Sequence, residues 1–239
     1  MTYAIEAEGL VKYYGNKQVL QGLNMNVKTG EIFGLIGANG AGKSTTIDCL
    51  LGTKKLDQGT VNILGTSPTT KHKSLFEQIG VQFQESAFQN GLTVKEICEI
   101  THSLYKNPID WRTKLADYQL EHHVRSSIST LSGGERQKLC ILLATMGQPK
   151  LLVLDELTTG LDPVARRQIW NNLRKLNDEG VTILLTSHDM HEIEALCDRI
   201  LLLKHGNVFM EGTVQEVLSK SGAKSMDDAY LQLTGEGIR

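Results

Sequence analysis

The most informative residues of the chain lie at 37–44, where Gly-Ala-Asn-Gly-Ala-Gly-Lys-Ser completes a G-x-x-x-x-G-K-[ST] pattern. Glycines let such a loop turn tightly and aim several backbone N–H groups at one anion. Lys43 adds a positive charge, and Ser44 carries the hydroxyl that these loops use to bind Mg²⁺. A strand-like run at 33–36 precedes the loop and a helix-like segment at 45–51 follows it, so the loop leads into a helix N-terminus that favours an anion. The pattern therefore predicts a nucleotide site.

A dinucleotide-binding fold fits these residues less well. Its glycines follow G-x-G-x-x-G, and it has no use for Lys43. We expect the phosphates to contact the whole loop and the start of the helix. The predicted contacts are Gly37, Ala38, Asn39, Gly40, Ala41, Gly42, Lys43, Ser44 and Thr45.

Two adjacent carboxylates end the run Leu-Leu-Val-Leu-Asp-Glu at 151–156. Successive strand residues face opposite ways, but at the C-terminal tip of a strand both side chains can reach the crevice where α/β folds place ligands. We expect Asp155 to hold magnesium, and Glu156 to polarise the attacking water or accept its proton. The pair adds hydrolysis to the predicted nucleotide binding.

A second glycine-rich helix start occurs at 131–137, Leu-Ser-Gly-Gly-Glu-Arg-Gln. Ser132 can cap a helix, and the glycines after it expose N–H groups, which makes another anion site. One nucleotide does not need two such sites in one chain. At this point the chain resembles the ATP-binding cassette (ABC) family, because Leu-Ser-Gly-Gly-Glu is similar to the family's signature motif and occurs together with the two earlier motifs. The resemblance covers nearly the whole chain.

The resemblance implies an α/β fold: a P-loop NTPase core with a mostly parallel sheet, an N-terminal antiparallel β subdomain and an inserted α-helical subdomain. Val94, Ile97, Ile100 and Leu104 are near helical spacing and predict a helix in the insertion, which we place at 92–149. We expect a single nucleotide-binding domain at 1–239, with the core and β subdomain at 1–84 and 151–215, the helical subdomain at 85–150 and a C-terminal tail at 216–239. Strands are predicted at 3–7, 18–27, 31–36, 60–64, 79–84, 151–155 and 181–186, and further helices at 45–51 and 163–176.

Further site residues follow from the resemblance, residue by residue. Tyr14 resembles the aromatic residue that stacks on adenine, with Tyr13 as the alternative. Gln84 matches the glutamine that contacts magnesium and water and links to the helical subdomain, with Gln82 as the alternative register. His188 matches the switch histidine that touches the γ-phosphate. Catalytic roles are thus expected for Glu156, His188 and Gln84, and metal contacts for Ser44, Gln84 and Asp155.

The resemblance also accounts for the two anion sites. It implies that two copies pack head to tail, so that Ser132, Gly133 and Gly134 of one copy close over the ATP on the phosphate loop of the other. Asp162, in Gly-Leu-Asp at 160–162, matches the loop that crosses this interface. Hydrolysis removes the γ-phosphate that holds the interface together, and the dimer opens. The expected cofactors are ATP and Mg²⁺, and one expected partner is a second copy.

The sequence departs from the family pattern at Leu157, where the family usually has proline directly after the catalytic glutamate. Proline would fix φ and stiffen the exit from the strand, so we expect a looser interface loop. The chemistry should be unaffected, since Asp155, Glu156 and His188 are all present.

Composition limits the function classes. The chain has 239 residues, 22% of them charged, and a net charge of -2, so it has no broad basic surface and nucleic acid is not an expected partner. Its longest apolar runs fall far short of the roughly 20 residues that cross a bilayer, and its N-terminus lacks the features of a secretory signal. The scattered cysteines and the adjacent His122 and His123 do not predict a metal site. We expect a cytoplasmic protein.

With an ATPase and no predicted membrane span, the resemblance implies a separate permease subunit that holds the protein on the inner face of the cell membrane. Residues 90–96 resemble the stretch that grips a permease, although they fit a helix cap with an amphipathic start nearly as well. The tail at 226–235 resembles that of ATPase subunits of two-component bacterial exporters. The predicted function is an ATP-hydrolysing subunit of an ABC exporter. The alternative is a soluble cassette ATPase in a cytosolic assembly or regulatory complex.

Overall fold

The computed structural model describes residues 2–70, 72–83, 88–89, 91–158 and 160–235, whose strands form two sheets. The strands are β1 (Tyr3–Tyr14), β2 (Lys17–Lys28), β3 (Ile32–Ile36), β4 (Gln58–Ile63), β5 (Ile79–Gln82), β6 (Leu151–Asp155), β7 (Thr182–Ser187), β8 (Arg199–Lys204) and β9 (Asn207–Thr213). The helices are α1 (Lys43–Leu50), α2 (His72–Phe76), α3 (Val94–Ser103), α4 (Trp111–Asp117), α5 (Gly133–Thr145), α6 (Pro163–Asp178), α7 (Met190–Leu196), α8 (Val214–Ser221) and α9 (Met226–Thr234). Within the described residues, none of these helices is long and apolar enough to cross a membrane.

The N-terminal sheet has the strand order β2-β1-β4 and is antiparallel throughout, which confirms the predicted β subdomain. A tight turn at Gly15, with φ +58, joins β1 to β2. β1 runs well past residue 7, where the sequence pattern predicted its end. The register shifts between Ala7 and Leu10, and Gly9 adopts φ +60 there, so the alternation that predicts a strand is interrupted although the strand continues.

The second sheet has the strand order β5-β6-β7-β3-β8-β9. Its neighbouring strands are parallel except β8 and β9, which confirms the mostly parallel sheet. β3 and β6 are buried along their whole length, as expected for short apolar strands covered on both faces. These central strands carry the residues that lead into the site.

Each face of this sheet contributes to its own hydrophobic core. Phe33, Val153 and Leu201 lie on one face, in the core shared with α1 and the antiparallel sheet. The opposite face packs against the helices that follow β5, β6 and β7. Ala229 and Tyr230 of α9 are buried in the same core, so the C-terminal segment packs on the domain as far as it is described.

Between β5 and β6 the described residues form helices and no strand, which confirms the inserted helical subdomain. In α3 and just after it, Val94 and Cys98 are buried, whereas Ile100 is 49% and Leu104 72% exposed. At about 100° per residue, Ile100 lies on a different side of the helix from Val94. The apolar residues of this segment are therefore divided between the core and an exposed surface.

The helix α5 lies directly on β5. A Cβ atom at Gly80 would be 2.1 Å from the carbonyl oxygen of Ala144, so glycine allows the helix and strand backbones to touch. A Cβ atom at Gly134, at the other end of α5, would be 2.8 Å from Ala165 Cβ of α6. These two close contacts fix where the start of α5 lies relative to the sheet.

Candidate active site

Three parallel strands end at one edge of the main sheet and bring the predicted site residues together. Ile36 of β3 pairs with Ser187 of β7, and Asp155 of β6 pairs with Thr186 of β7. The phosphate-binding loop follows β3, the predicted catalytic glutamate follows β6, and the predicted switch histidine follows β7. The carboxyl ends of parallel strands are where α/β folds bind ligands.

The phosphate-binding loop joins β3 to the first turn of α1. A Cβ atom at Gly37 would lie 2.5 Å from the carbonyl oxygen of Leu203, so only glycine fits where the chain leaves β3. Gly42, which has no side chain to cap the helix, is the N-cap of α1 with φ +113. The backbone N–H groups at this helix start can therefore point, with the helix dipole, at an anion.

Lys43 is the buried cation of the loop. Its side chain is 5% exposed and its Nζ lies 3.7 Å from Glu156 Oε1. Nζ donates to the carbonyl oxygens of Gly37 at 2.9 Å and Ala38 at 3.4 Å. Burial lowers the pKa of Lys43, and the carboxylates of Glu156 and Asp155 raise it in part. The ammonium group is thus held by groups that phosphate oxygens can replace.

Glu156 lies between this cation and His188. Its side chain is 9% exposed, and its Oε2 is 3.6 Å from His188 Nδ1. Its backbone has φ +50, a conformation that residues other than glycine rarely adopt. Its N–H donates to Thr186 Oγ1 at 3.0 Å. A carboxylate held in this way beside a phosphate site is suited to act on a water molecule.

Asp155 is buried at the end of β6, and Thr186 Oγ1 donates to its Oδ1. Ser44 is exposed in the first turn of α1. Carboxylate and hydroxyl oxygens are ligands that Mg²⁺ accepts. Two of the three residues predicted to contact the metal thus lie at this edge of the sheet, at the end of β6 and the start of α1, and the third, Gln84, lies outside the described residues.

A cavity of about 570 Å³ opens beside the phosphate-binding loop. Tyr14, at the end of β1, lies in its lining, whereas Tyr13 is not among the described residues that form it. An exposed aromatic ring at this position offers a face for a base to stack on. The lining also includes Asn39, Gly40, Gly42, Lys43, Ser44, Thr45 and Glu156.

The start of α5 carries the signature residues. Ser132 is its N-cap: the hydroxyl and N–H of Ser132 each donate to Glu135 Oε2 at 2.8 Å, and the Glu135 N–H donates back to Ser132 Oγ. These hydrogen bonds hold the pKa of Glu135 below its usual value. Ser132 and Gly133 are exposed and are not among the described residues that line the nucleotide cavity. This helix start is therefore open to another molecule.

Asp162 is the N-cap of α6 and is exposed. Its Oδ1 accepts hydrogen bonds from the N–H groups of Val164 at 2.9 Å and Ala165 at 3.0 Å, which lower the pKa of Asp162. Since Ala165 also touches Gly134, the loop at 160–162 and the start of α5 lie close together.

Gln84 lies outside the described residues, so its contacts stay a prediction. The alternative, Gln82, is buried in β5, and its Nε2 donates to the carbonyl oxygen of Phe83 at 2.7 Å. Its Oε1 has no hydrogen-bond partner within the described part of the chain. Gln82 lines a separate cavity of about 230 Å³ together with residues of α3 and α5.

Comparison with known proteins decides the family. Residues 20–159 match the sequence profile of the ABC transporter family. The chain belongs to this family. It is an ATP-binding cassette and an ATPase, as its three motifs predicted.

Several ABC proteins resemble the whole cassette. The linearmycin resistance ATP-binding protein of Bacillus subtilis is 36% identical over 98% of this chain and 76% of its own length. The daunorubicin/doxorubicin resistance ATP-binding protein of Streptomyces peucetius is 38% identical over 93% of this chain and 69% of its own length. A Nod factor export ATP-binding protein of a Rhizobium species is 38% identical over 91% of this chain and 73% of its own length.

Solved structures show the same ABC fold. An ATP-binding subunit of an ABC transporter matches with a TM-score of 0.88 at 28% identity, covering 97% of this chain and 99% of the other. The ADP conformation of another ABC cassette matches with a TM-score of 0.82 at 26% identity, over the same shares of the two chains. The likeness extends over both sheets and the helical subdomain.

The structure of this ABC cassette adds residues that the motifs did not identify. Thr186 contacts both acids of the site, since it donates to Asp155 and accepts from the Glu156 N–H. Arg166 of α6 forms an ion pair with Asp189, directly after the switch histidine. A threonine at the end of a buried strand and an arginine on a helix carry no sequence signal of these roles, because each partner is distant in the chain.

Proposed function

We propose that this ABC ATPase powers a membrane exporter by hydrolysing Mg²⁺-ATP between two copies of itself. One observation carries the proposal: Glu156 lies 3.7 Å from Lys43 Nζ and 3.6 Å from His188 Nδ1, beside the phosphate-binding loop. Export is supported by the relatives, which are named for drug resistance and for Nod factor export.

The triphosphate binds to the N–H groups of the loop and to Lys43. On binding, Lys43 exchanges the carbonyl oxygens of Gly37 and Ala38 for phosphate oxygens. This exchange requires no movement of α1. Tyr14 stacks on adenine at the other end of the cavity. The cavity of about 570 Å³ has the size of a small-molecule site.

Mg²⁺ fits the oxygen donors at this edge of the sheet. Ser44 would provide a hydroxyl and Asp155 a carboxylate to hold the ion, and Gln84 is the third proposed contact. The hydrogen bond from Thr186 orients the buried Asp155 side chain, as outer partners of metal ligands usually do. When bound, the ion neutralises charge on the β- and γ-phosphates.

Glu156 acts as the general base. Water attacks the γ-phosphorus, its proton passes to the Glu156 carboxylate, and the bond from the γ-phosphorus to the bridging oxygen breaks, releasing ADP and phosphate. His188 Nδ1 has no hydrogen-bond partner within the described residues, because 3.6 Å to Glu156 is too long for one. The histidine would thus be able to contact the γ-phosphate, and Gln84 would orient the water.

A second copy completes each site. Ser132, Gly133 and Gly134 of that copy close over the γ-phosphate, and the exposed start of α5 has N–H groups and a helix dipole suited to it. Asp162 lies close to the same surface, because α6 touches α5 at Gly134. The dimer is thus held together by the phosphate that hydrolysis removes.

The membrane partner binds the apolar surface formed by Ile100 and Leu104, which are both exposed and lie four residues apart at the end of α3. Neighbouring exposed apolar side chains that form a contiguous patch are typical of interaction sites. The described part of the predicted dock, residues 91–96, precedes these side chains in the chain, and Thr93 and Glu96 form the capping box that begins α3. We assign the surface to a cytoplasmic segment of a permease subunit, which places the ATPase at the inner face of the membrane.

Co-purification from detergent-solubilised membranes tests the export role. The wild-type chain should bring down a hydrophobic, membrane-spanning subunit, and the double variant Ile100→Asp, Leu104→Asp should lose it. Leu231→Asp is the matched control, since Leu231 is also an exposed leucine but lies on α9. Recovery of only non-membrane partners by the wild type would contradict the proposal and favour a cytosolic assembly ATPase.

A further inference from the structure

A buried carboxylate on α7 takes no part in the mechanism described so far. Glu192 is 2% exposed, and its Oε1 accepts hydrogen bonds from Thr158 Oγ1 at 2.8 Å and Trp170 Nε1 at 3.1 Å. Burial raises the pKa of Glu192, and the hydrogen bonds from Ser187, Thr158 and Trp170 lower it in part. A carboxyl group is rarely buried without a structural or functional reason.

The partners of Glu192 belong to different parts of the site. Thr158 is in the loop that follows Glu156, and Trp170 is in the middle of α6. Glu192 itself is in the first turn of α7, just after His188. The carboxyl group therefore joins the loop of the proposed base to the helix that follows the proposed γ-phosphate contact.

The loop needs such an anchor because Glu156 has φ +50, which only the surrounding structure can maintain. On one side, the Glu156 N–H is held by Thr186. On the other side, Leu157 is buried in the core and Thr158 is held by Glu192. Contacts thus restrain the loop on both sides of Glu156.

We infer that Glu192 is a positioning residue for ATP hydrolysis, which acts by holding Thr158 and so fixing the orientation of the Glu156 carboxylate. The inference rests on the proposed role of Glu156 as the general base. It predicts that the bond to Thr158 matters for turnover, whereas the bond from Trp170 to the same oxygen matters only for stability.

Two variants that each remove one donor to the same oxygen separate these roles. Thr158→Val should lower kcat by about tenfold to a hundredfold with an unchanged KM for ATP, because a small displacement of a catalytic group is enough for this loss. Thr158→Ser keeps the hydroxyl and should restore kcat. Trp170→Phe, the matched control, should lower the melting temperature and leave kcat near that of the wild type.

A double-mutant cycle tests whether Thr158 and Glu192 act through one contact. Glu192→Leu should lower kcat as Thr158→Val does, and the combined variant should be no slower than either one, since both remove the Thr158–Glu192 bond on which turnover is inferred to depend. Wild-type kcat in Thr158→Val, or an equal loss of kcat in Trp170→Phe, would overturn the inference. Unreduced turnover in Glu156→Gln would instead overturn the proposed function, so the two failures are distinguishable.

Discussion

The Glu156→Gln variant is expected to bind ATP as the wild type does and to hydrolyse it at least about a hundredfold more slowly. Glutamine has nearly the shape of glutamate, so it can occupy the position between Lys43 and His188. It cannot accept the proton of the attacking water. Phosphate release in single-turnover conditions and equilibrium binding of a fluorescent ATP analogue measure the two quantities separately.

Glu8→Gln is the control for this variant, because Glu8 is an exposed glutamate on β1 away from the nucleotide cavity. It should keep full activity. Hydrolysis by Glu156→Gln at more than a tenth of the wild-type rate would show that another group accepts the proton. Loss of ATP binding in Glu156→Gln would show that the carboxylate acts mainly through Lys43.

Replacement of Lys43 by alanine should have the second large effect, on ATP affinity. Lys43 is 5% exposed, and its ammonium nitrogen lies 3.7 Å from Glu156 Oε1. Without it, the phosphates lose a charged hydrogen bond, worth about 1.5–3 kcal/mol or about tenfold to a hundredfold in affinity. The phosphates would also lie near the Glu156 carboxylate, whose negative charge Lys43 would no longer offset. Calorimetric titration with Mg²⁺-ATP measures the change.

Lys95→Ala is the control for the lysine variant, since Lys95 is half exposed on α3 and pairs only weakly with Glu99. Its ATP affinity should equal that of the wild type. Because Lys43 also donates to two carbonyl oxygens of the loop, the melting temperature of Lys43→Ala should be measured in parallel. A folded Lys43→Ala protein with ATP affinity within twofold of the wild type would contradict the assignment.

The central strands and the phosphate-binding loop could be predicted from the sequence because local residues determine them. β6 has the predicted bounds, since a continuous apolar run is followed by Asp155 and Glu156. α6 begins at Pro163 after Asp162, as the N-cap and proline signals indicated, although it runs two residues beyond the predicted 176. The carboxyl ends of parallel strands then bring the loop, the acids and the histidine together.

Other features could not be predicted because they depend on contacts between distant residues. The bonds of Glu192 to Thr158 and Trp170 connect residues 34 and 22 positions apart. Ile100 and Leu104 match a helical period, but only the packing of α3 shows that they face outward. The looser loop expected from Leu157 stays a prediction, which rested on φ alone; the structure adds that Leu157 is buried and that Thr158 donates to Glu192.

ATP-dependent dimerisation of Glu156→Gln, followed by light scattering, tests the central claim most directly. With Mg²⁺-ATP the variant should change from monomer to dimer, and Ser132→Tyr in the same background should abolish the dimer because the ring blocks the exposed start of α5. Ser219→Tyr, at an exposed serine on α8, should leave it intact. A Glu156→Gln protein that stays monomeric when saturated with ATP, or a dimer that Ser132→Tyr does not weaken, would contradict an ATP site shared between two copies.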